Sequence, residues 1–228
     1  DEEVSRGLGD VYKRQVEAVK ASTLEVEEVE TRRVKRNPQP PFTTSTMQQE
    51  ASRKLGFSAS RTMRVAQKLY EGINIGAETT GLITYMRTDG VQLSQEAIGD
   101  IRKAISTLKG DRFVPTTPRV YKSRAANAQE AHEAIRPTDI SRRPEDIARF
   151  LDDDQRKLYD LVWRRTMASQ MQSAEIDQTG ADIVDRAGKV TLRASGSVIV
   201  FEGFLSIYRE SRDDANGPGP ACLLYTSP

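Results

Sequence analysis

Apolar residues recur with helical spacing through the middle of the chain and with a period of two towards its ends. Ala97, Ile98, Ile101, Ala104, Ile105 and Leu108 fall at i, i+3, i+4 and i+7, the stripe of an amphipathic helix. Ser94 before the stripe and Gly110 after it supply the two caps. Ser58 and Gly72 bracket a second helix. On it Thr62, Val65, Ala66 and Leu69 share one face, and Arg61, Arg64 and Lys68 lie together on another. Ser45 with Gln48 three residues on reads as a capping box, opening a helix that runs to Leu55 and stops at Gly56. Pro144 suits the first turn of another helix. A long helix is predicted from about Gln155 to Ser173, with Leu158, Leu161, Val162, Arg165 and Met167 to Met171 inward and Trp163 at a domain joint. Asp152, Asp153 and Asp154 precede it. Three adjacent acids invite a metal-site reading, but at a helix start they are better explained as a cap and as compensation of the dipole.

Strand signals flank this helical middle. Leu24, Val26, Val29 and Val34 stand among charges within residues 16–36 and predict an extended strand or two. Arg32, Arg33, Lys35 and Arg36 form a basic run, ordinarily a solvated surface, before the Asn37-Pro38-Gln39-Pro40-Pro41 linker. From Ala174 the period becomes two. Gly180 to Asp185 and Val190 to Ala194 around Ala187-Gly188-Lys189 predict a hairpin, and Ser197 to Tyr208 a further strand or two. The expected class is therefore α+β, with a mainly helical domain between two β-rich parts.

Composition narrows the partners. The 228 residues carry 34 basic and 33 acidic side chains, a net charge of +1, so any nucleic-acid surface must come from sorting charge to one side. One cysteine, Cys222, leaves no internal disulfide and no multi-cysteine zinc site. No apolar run approaches the length of a membrane span, and the expected compartment is the cytoplasm.

The candidate chemistry lies in Gly81-Leu82-Ile83-Thr84-Tyr85-Met86-Arg87-Thr88-Asp89-Gly90. Leu82 to Met86 reads as a short strand, and the residues behind it favour a turn. Tyrosine in a strand is ordinarily a packing residue. Two residues before an arginine it is also a plausible nucleophile beside a phosphate clamp. A phenol attacks phosphorus once a neighbour shares its proton or a cation stabilises the phenolate, and a guanidinium fork matches phosphate oxygens in pairs. The only histidine, His132, stands in Gln129 to Pro137, read as a short polar helix on which Arg136 lies one turn beyond it. A lone histidine is more often structural than catalytic.

Three ordered blocks decide between these readings: residues 40–72 (PPFTTSTMQQEASRKLGFSASRTMRVAQKLYEG), 81–90 (GLITYMRTDG) and 128–139 (AQEAHEAIRPTD). Together they resemble the type IA DNA topoisomerases, in which a tyrosine breaks one DNA strand and stays joined to its 5′ phosphate. The resemblance implies Tyr85, Arg87 and His132 as catalytic residues. It places Arg136, Thr138, Arg61, Arg64 and Lys68 as DNA-binding residues on single-stranded or underwound DNA, in a monomer. Residues 43–173 are then the helical domain carrying the tyrosine, inserted into an arch formed by 16–42 and 174–210. Gly90 departs from the serine common at that place, where a loop effect is expected.

The family's Asp-x-Asp-x-Glu cluster, which holds Mg2+ in a Toprim domain, is not found in this sequence. The chain is therefore expected to be an internal piece, inactive alone. Its ends, 1–15 and 211–228, are expected to include non-native sequence. The alternative function, from a different class, is a non-catalytic clamp on single-stranded DNA that uses the basic face and not Tyr85.

Overall fold

The computed structural model describes residues 13, 16–76, 78–122, 133–187 and 190–209. The terminal stretches expected to be non-native, Lys13 apart, and His132 lie outside the described residues. No helix among the described residues is long and apolar enough to cross a membrane.

A short helix α1 (residues 16–21) and one strand β1 (Leu24–Arg36) stand where a strand or two was expected. The helices follow as α2 (Thr44–Leu55), α3 (Ala59–Glu71), α4 (Gln95–Lys109), α5 (Pro144–Ile147) and α6 (Asp153–Ser169). A two-stranded ribbon, β2 (Ile73–Asn74) antiparallel to β3 (Thr79–Thr80), follows α3. β4 (Ala174–Asp185) and β5 (Thr191–Phe201) complete a mixed α+β structure. The described residues separate into two units, one ending at Val34 and resuming over Glu175–Val200, the other built from Lys35–Ala174 and Phe201 onward.

In the first unit the sheet order is β1-β4-β5. Thr31 Oγ1 meets Thr179 Oγ1 at 2.9 Å, and Arg33 grips Asp177 at 2.8 and 2.9 Å. Residue numbers thus fall along β4 as they rise along β1, an antiparallel pairing. The N–H of Asp185 donates to the carbonyl of Val190 at 2.9 Å and closes the β4–β5 hairpin. β5 runs unbroken to Phe201, and a 3-10 turn (Gly203–Ser206) follows where further strand was expected.

The second unit owes its helices to the caps legible in the sequence. Ser58, Ser94 and Asp152 each accept the N–H three residues on, and Gly56 adopts the left-handed conformation that ends α2. Asp152 and Gln155 form a reciprocal capping box. Asp153 pairs with Arg156 and Lys157, and Asp154 with Arg61, so the acidic triplet serves the helix start. The cap of α2 is Thr43 with Thr46, not Ser45 with Gln48. The first turn moves forward because the Thr44 N–H is drawn to the carbonyl of Thr88 at 2.9 Å. α6 stops at Ser169 rather than Ser173, where the carbonyl of Met171 is taken by Arg119 Nε at 2.8 Å. Trp163 is buried in the core of this unit and donates to the Ile140 carbonyl at 3.0 Å.

α6 lies against α2, α3 and α4. Phe42, Met47, Leu69, Ile101, Ile105, Leu158, Val162 and Phe204 fill the core between them. Each such side chain contributes about 1.5–3 kcal/mol when removed from water. One ionic cluster is enclosed with them. Tyr208 Oη donates to Glu50 at 2.6 Å, and Lys54 Nζ approaches Glu50 at 3.2 Å and the Tyr208 ring centroid at 3.6 Å. Arg165 donates to the Pro40 carbonyl at 2.7 Å. Burial pushes the Glu50 carboxyl up, but the Tyr208 hydroxyl, Lys54 and Arg165 more than offset this and hold it below its ordinary 4.5.

A carboxyl depressed by folding contributes stability that is complete above its unfolded value and lost as the pH falls through the folded value. Glu50→Gln is therefore expected to lower stability at neutral pH and to flatten the acid limb of the stability–pH profile. Denaturant titrations from pH 7 to 3 check this.

Candidate active site

The segment Gly81 to Gly90 is not a strand: it bends at Thr84, Met86 and Arg87, and a single described bridge joins Ile83 to Pro137. Regular pairing gives way to donors and acceptors drawn from four places in the chain. The N–H of Leu82 caps α3 at the Leu69 carbonyl, 2.7 Å away. The N–H of Thr84 donates to the Arg136 carbonyl at 2.9 Å, and Thr138 donates to Leu82 and Gly81 at 3.1 and 2.7 Å. Thr84 Oγ1 donates to the Ala134 carbonyl at 2.7 Å and accepts from the Arg136 N–H at 3.0 Å. Thr44 Oγ1 donates to the Met86 carbonyl and accepts from the Thr88 N–H, both at 2.8 Å. Gly81 is needed for the close passage over α3, since a Cβ there would stand 2.5 Å from the Tyr70 carbonyl oxygen.

Met86, Thr88 and Gly90 are buried, whereas Tyr85, Arg87 and Asp89 face out. Tyr85 is 39% exposed in spite of its aromatic bulk, and the residues around it, Ile83 and Met86, are each 1% exposed. Its ring meets that of Tyr70 edge to face, centroids 5.4 Å apart at 66°. Arg87 is exposed and makes no hydrogen bond or ion pair with another described residue. A phenol and a guanidinium without a partner among the described residues are thus both exposed, two residues apart.

The third block differs from its expectation where it is described. Glu133 to Thr138 is not helical. The Ala134 and Ile135 N–H groups donate to the carbonyls of Gln92 and Phe42, each at 2.9 Å, so the block is held by partners distant in sequence. Pro137 also disfavours helical backbone at Arg136 before it. The helical spacing from His132 to Arg136 thus does not hold at Arg136. The Arg136 guanidinium is gripped by Glu133 at 2.7 and 3.0 Å and donates to the Pro137 carbonyl at 2.8 Å. Glu133 accepts also from the Ser94 N–H, at 2.9 Å. Burial raises the Glu133 carboxyl, but Arg136 and Ser94 bring it below its ordinary value. Thr138 is exposed, its hydroxyl turned to Gly81.

On α3 the three basic residues are exposed. Arg61 is held by Asp154 at 2.8 Å through both nitrogens, while Arg64 and Lys68 have no described partner. Thr84, Thr44 and Tyr70 were given no role by the sequence, and Glu133 reads there only as a surface residue or hydrogen-bond partner. Gly81 alone carried a local signal, as the punctuation before the apolar run.

The site thus sets an exposed tyrosine, on a segment held by hydrogen bonds to distant residues, two positions before an exposed arginine with no partner among the described residues. The chain belongs to the type IA DNA topoisomerase family: the model for DNA topoisomerase matches residues 9–222. DNA topoisomerase 1 of Rickettsia bellii is 54% identical over 198 residues, 87% of this chain and 25% of that protein. DNA topoisomerase 1 of Xylella fastidiosa is 47% identical over 204 residues, 89% of this chain and 25% of that protein. The full-length topoisomerase I of Thermotoga maritima matches in structure with a TM-score of 0.75 and 34% identity, over 91% of this chain and 34% of that one. The chain thus spans about a quarter of the length of these curated relatives.

Thr84→Val keeps the shape and removes the hydroxyl that serves Ala134 and Arg136. It is expected to lower stability by about 1–3 kcal/mol, the consequence of leaving buried partners unsatisfied. Urea unfolding of the variant against the parent measures this, and an unchanged midpoint would remove Thr84 from the account.

Proposed function

We propose that this chain is the nucleophile-bearing section of a type IA topoisomerase, which relaxes negatively supercoiled DNA by opening and resealing one strand. The observation that carries the reading is the outward pairing of Tyr85 with Arg87 on a segment whose alternate residues are buried. Tyr85 Oη attacks phosphorus in line. The new phosphotyrosyl bond joins the 5′ end of the downstream strand, and the P–O3′ bond breaks. The phenol gives up its proton and the 3′ oxygen takes one up, so resealing is the same exchange run backwards and needs no outside energy source. Arg87 neutralises the charge that builds on the phosphate oxygens. His132 is proposed at the same phosphate. Arg64 and Lys68 hold the single strand along α3, with Arg61, Arg136 and Thr138 at its margins. Arg136 contributes through the Glu133 grip that orders its own segment.

Residues 43–173 are proposed as the helical domain, with 16–42 and 174–210 as the arch. The protein acts as a monomer in the cytoplasm, where the DNA is. Type IA topoisomerases generally use Mg2+. Among the described residues no group of three or more His, Cys, Asp or Glu is placed to hold a metal ion. We propose, from the family resemblance, that the ion is held by an acidic domain outside this stretch; no step above runs through it, and the chain alone is proposed to be inactive.

A 3′-labelled single-stranded oligonucleotide, the acidic domain of a relative and magnesium provide the test, read on a denaturing gel. A covalent adduct is expected with the parent chain and none with Tyr85→Phe. Arg87→Ala is expected to slow its formation by about 10²–10³-fold, as other losses of charge-stabilising donors do. Tight DNA binding with no adduct in any variant would instead favour a non-catalytic clamp.

A further inference from the structure

We propose that Tyr70 is a positioning residue for Tyr85, its ring, set edge to face with that of Tyr85, limiting the directions in which the phenol points. The inference rests on the reading of Tyr85 as nucleophile and adds a residue that this reading does not contain.

Tyr70 is the penultimate residue of α3. Its neighbour Leu69 is fully buried in the core, which anchors the helix end, while Tyr70 itself is 40% exposed and stands out beside it. The reacting segment is drawn against this helix end at two points. The Leu82 N–H reaches the Leu69 carbonyl at 2.7 Å, and Gly81 passes so closely that a Cβ would lie 2.5 Å from the Tyr70 carbonyl oxygen. The backbones of the two tyrosines are thereby set relative to one another, and their rings meet at 5.4 Å and 66°, the edge-to-face arrangement that aromatic quadrupoles prefer. The edge-to-face contact lowers the energy of one orientation of the phenol relative to its other staggered ones. In-line attack needs one of them, so a side chain that narrows the choice raises the fraction of bound complexes ready to react. A core role does not account for so exposed a ring. A phosphate-binding role does not need an aromatic ring set against the nucleophile.

The ring rather than its hydroxyl carries this effect, which gives the test its form. In the full-length protein that carries this chain, single-turnover cleavage of a 3′-labelled oligonucleotide and its dissociation constant are measured for Tyr70→Leu and Tyr70→Phe, with Tyr85→Phe beside them. Tyr70→Leu is expected to slow adduct formation about threefold to tenfold, the size of one edge-to-face contact, with DNA affinity unchanged. Tyr70→Phe is expected to cleave within about twofold of the parent, since the ring is kept. Should Tyr70→Leu fail to fold, Tyr70→Gln makes the same comparison. An unchanged cleavage rate in Tyr70→Leu overturns the proposal. So does weakened DNA binding with an unchanged rate, which makes Tyr70 a DNA contact, or a Tyr70→Phe protein as slow as Tyr70→Leu, which makes the hydroxyl the active part. An adduct that survives in Tyr85→Phe sinks the nucleophile assignment itself, whereas its loss there together with an unaffected Tyr70→Leu sinks the Tyr70 proposal alone.

Discussion

The structure around Tyr85 depends on the demand that a buried backbone polar group find a partner. Gly81 to Gly90 runs through the helical unit without the ladder of a sheet, so its N–H and carbonyl groups must be met one by one. Leu69, Arg136, Thr138 and Thr44 meet them. Thr84 is the most connected of these points, its backbone and hydroxyl both tied to residues 134–136. An unmet group in such a place costs about 1–3 kcal/mol, comparable with a sizeable part of a domain's stability. The partners therefore hold the segment where Ile83 and Met86 are enclosed and Tyr85 and Arg87 are not.

That arrangement divides the cations by role. Arg136 is satisfied by a carboxylate and a carbonyl, and fixes the segment that in turn fixes Thr84. Arg61 is satisfied by Asp154 across two helices. Arg87, like Arg64 and Lys68, has no such partner among the described residues, so none of the three has a described ion pair to give up before meeting an anion. An exposed ion pair is worth little in itself, so the Arg61 pair is a modest obstacle to DNA, whereas the more enclosed Arg136 pair is a firmer one.

What could be read from the sequence was what local chemistry determines. Caps at Ser58, Ser94 and Asp152 work through residues three apart, and the buried stripe of α4 follows from helical spacing, so both were legible. The hairpin of β4 and β5 was legible from alternation, though not its length. Errors came where distant residues override local preference. Leu82 to Met86 has the composition of a strand, yet its hydrogen bonds go to residues more than 50 positions away, Thr84 to Arg136 and Leu82 to Thr138 among them. Glu133 to Arg136 has the composition of a helix, yet Gln92 and Phe42 take its N–H groups. Thr43 displaced Ser45 as a cap because Thr88, 44 residues on, claims the first turn. Tyr85 and Arg87 were singled out through motif resemblance, while Thr84, Thr44 and Glu133, which hold their segment and its neighbour in place, look in the sequence like ordinary polar residues.

The account is tested most directly by a structure of the protein carrying Tyr85→Phe with a single-stranded oligonucleotide bound. The central claim predicts one backbone phosphate within about hydrogen-bond reach of the position a Tyr85 hydroxyl would occupy, with the Arg87 guanidinium on its oxygens. A strand that runs elsewhere, with the residue-85 ring turned into apolar packing and Arg87 remote from every phosphate, would contradict it.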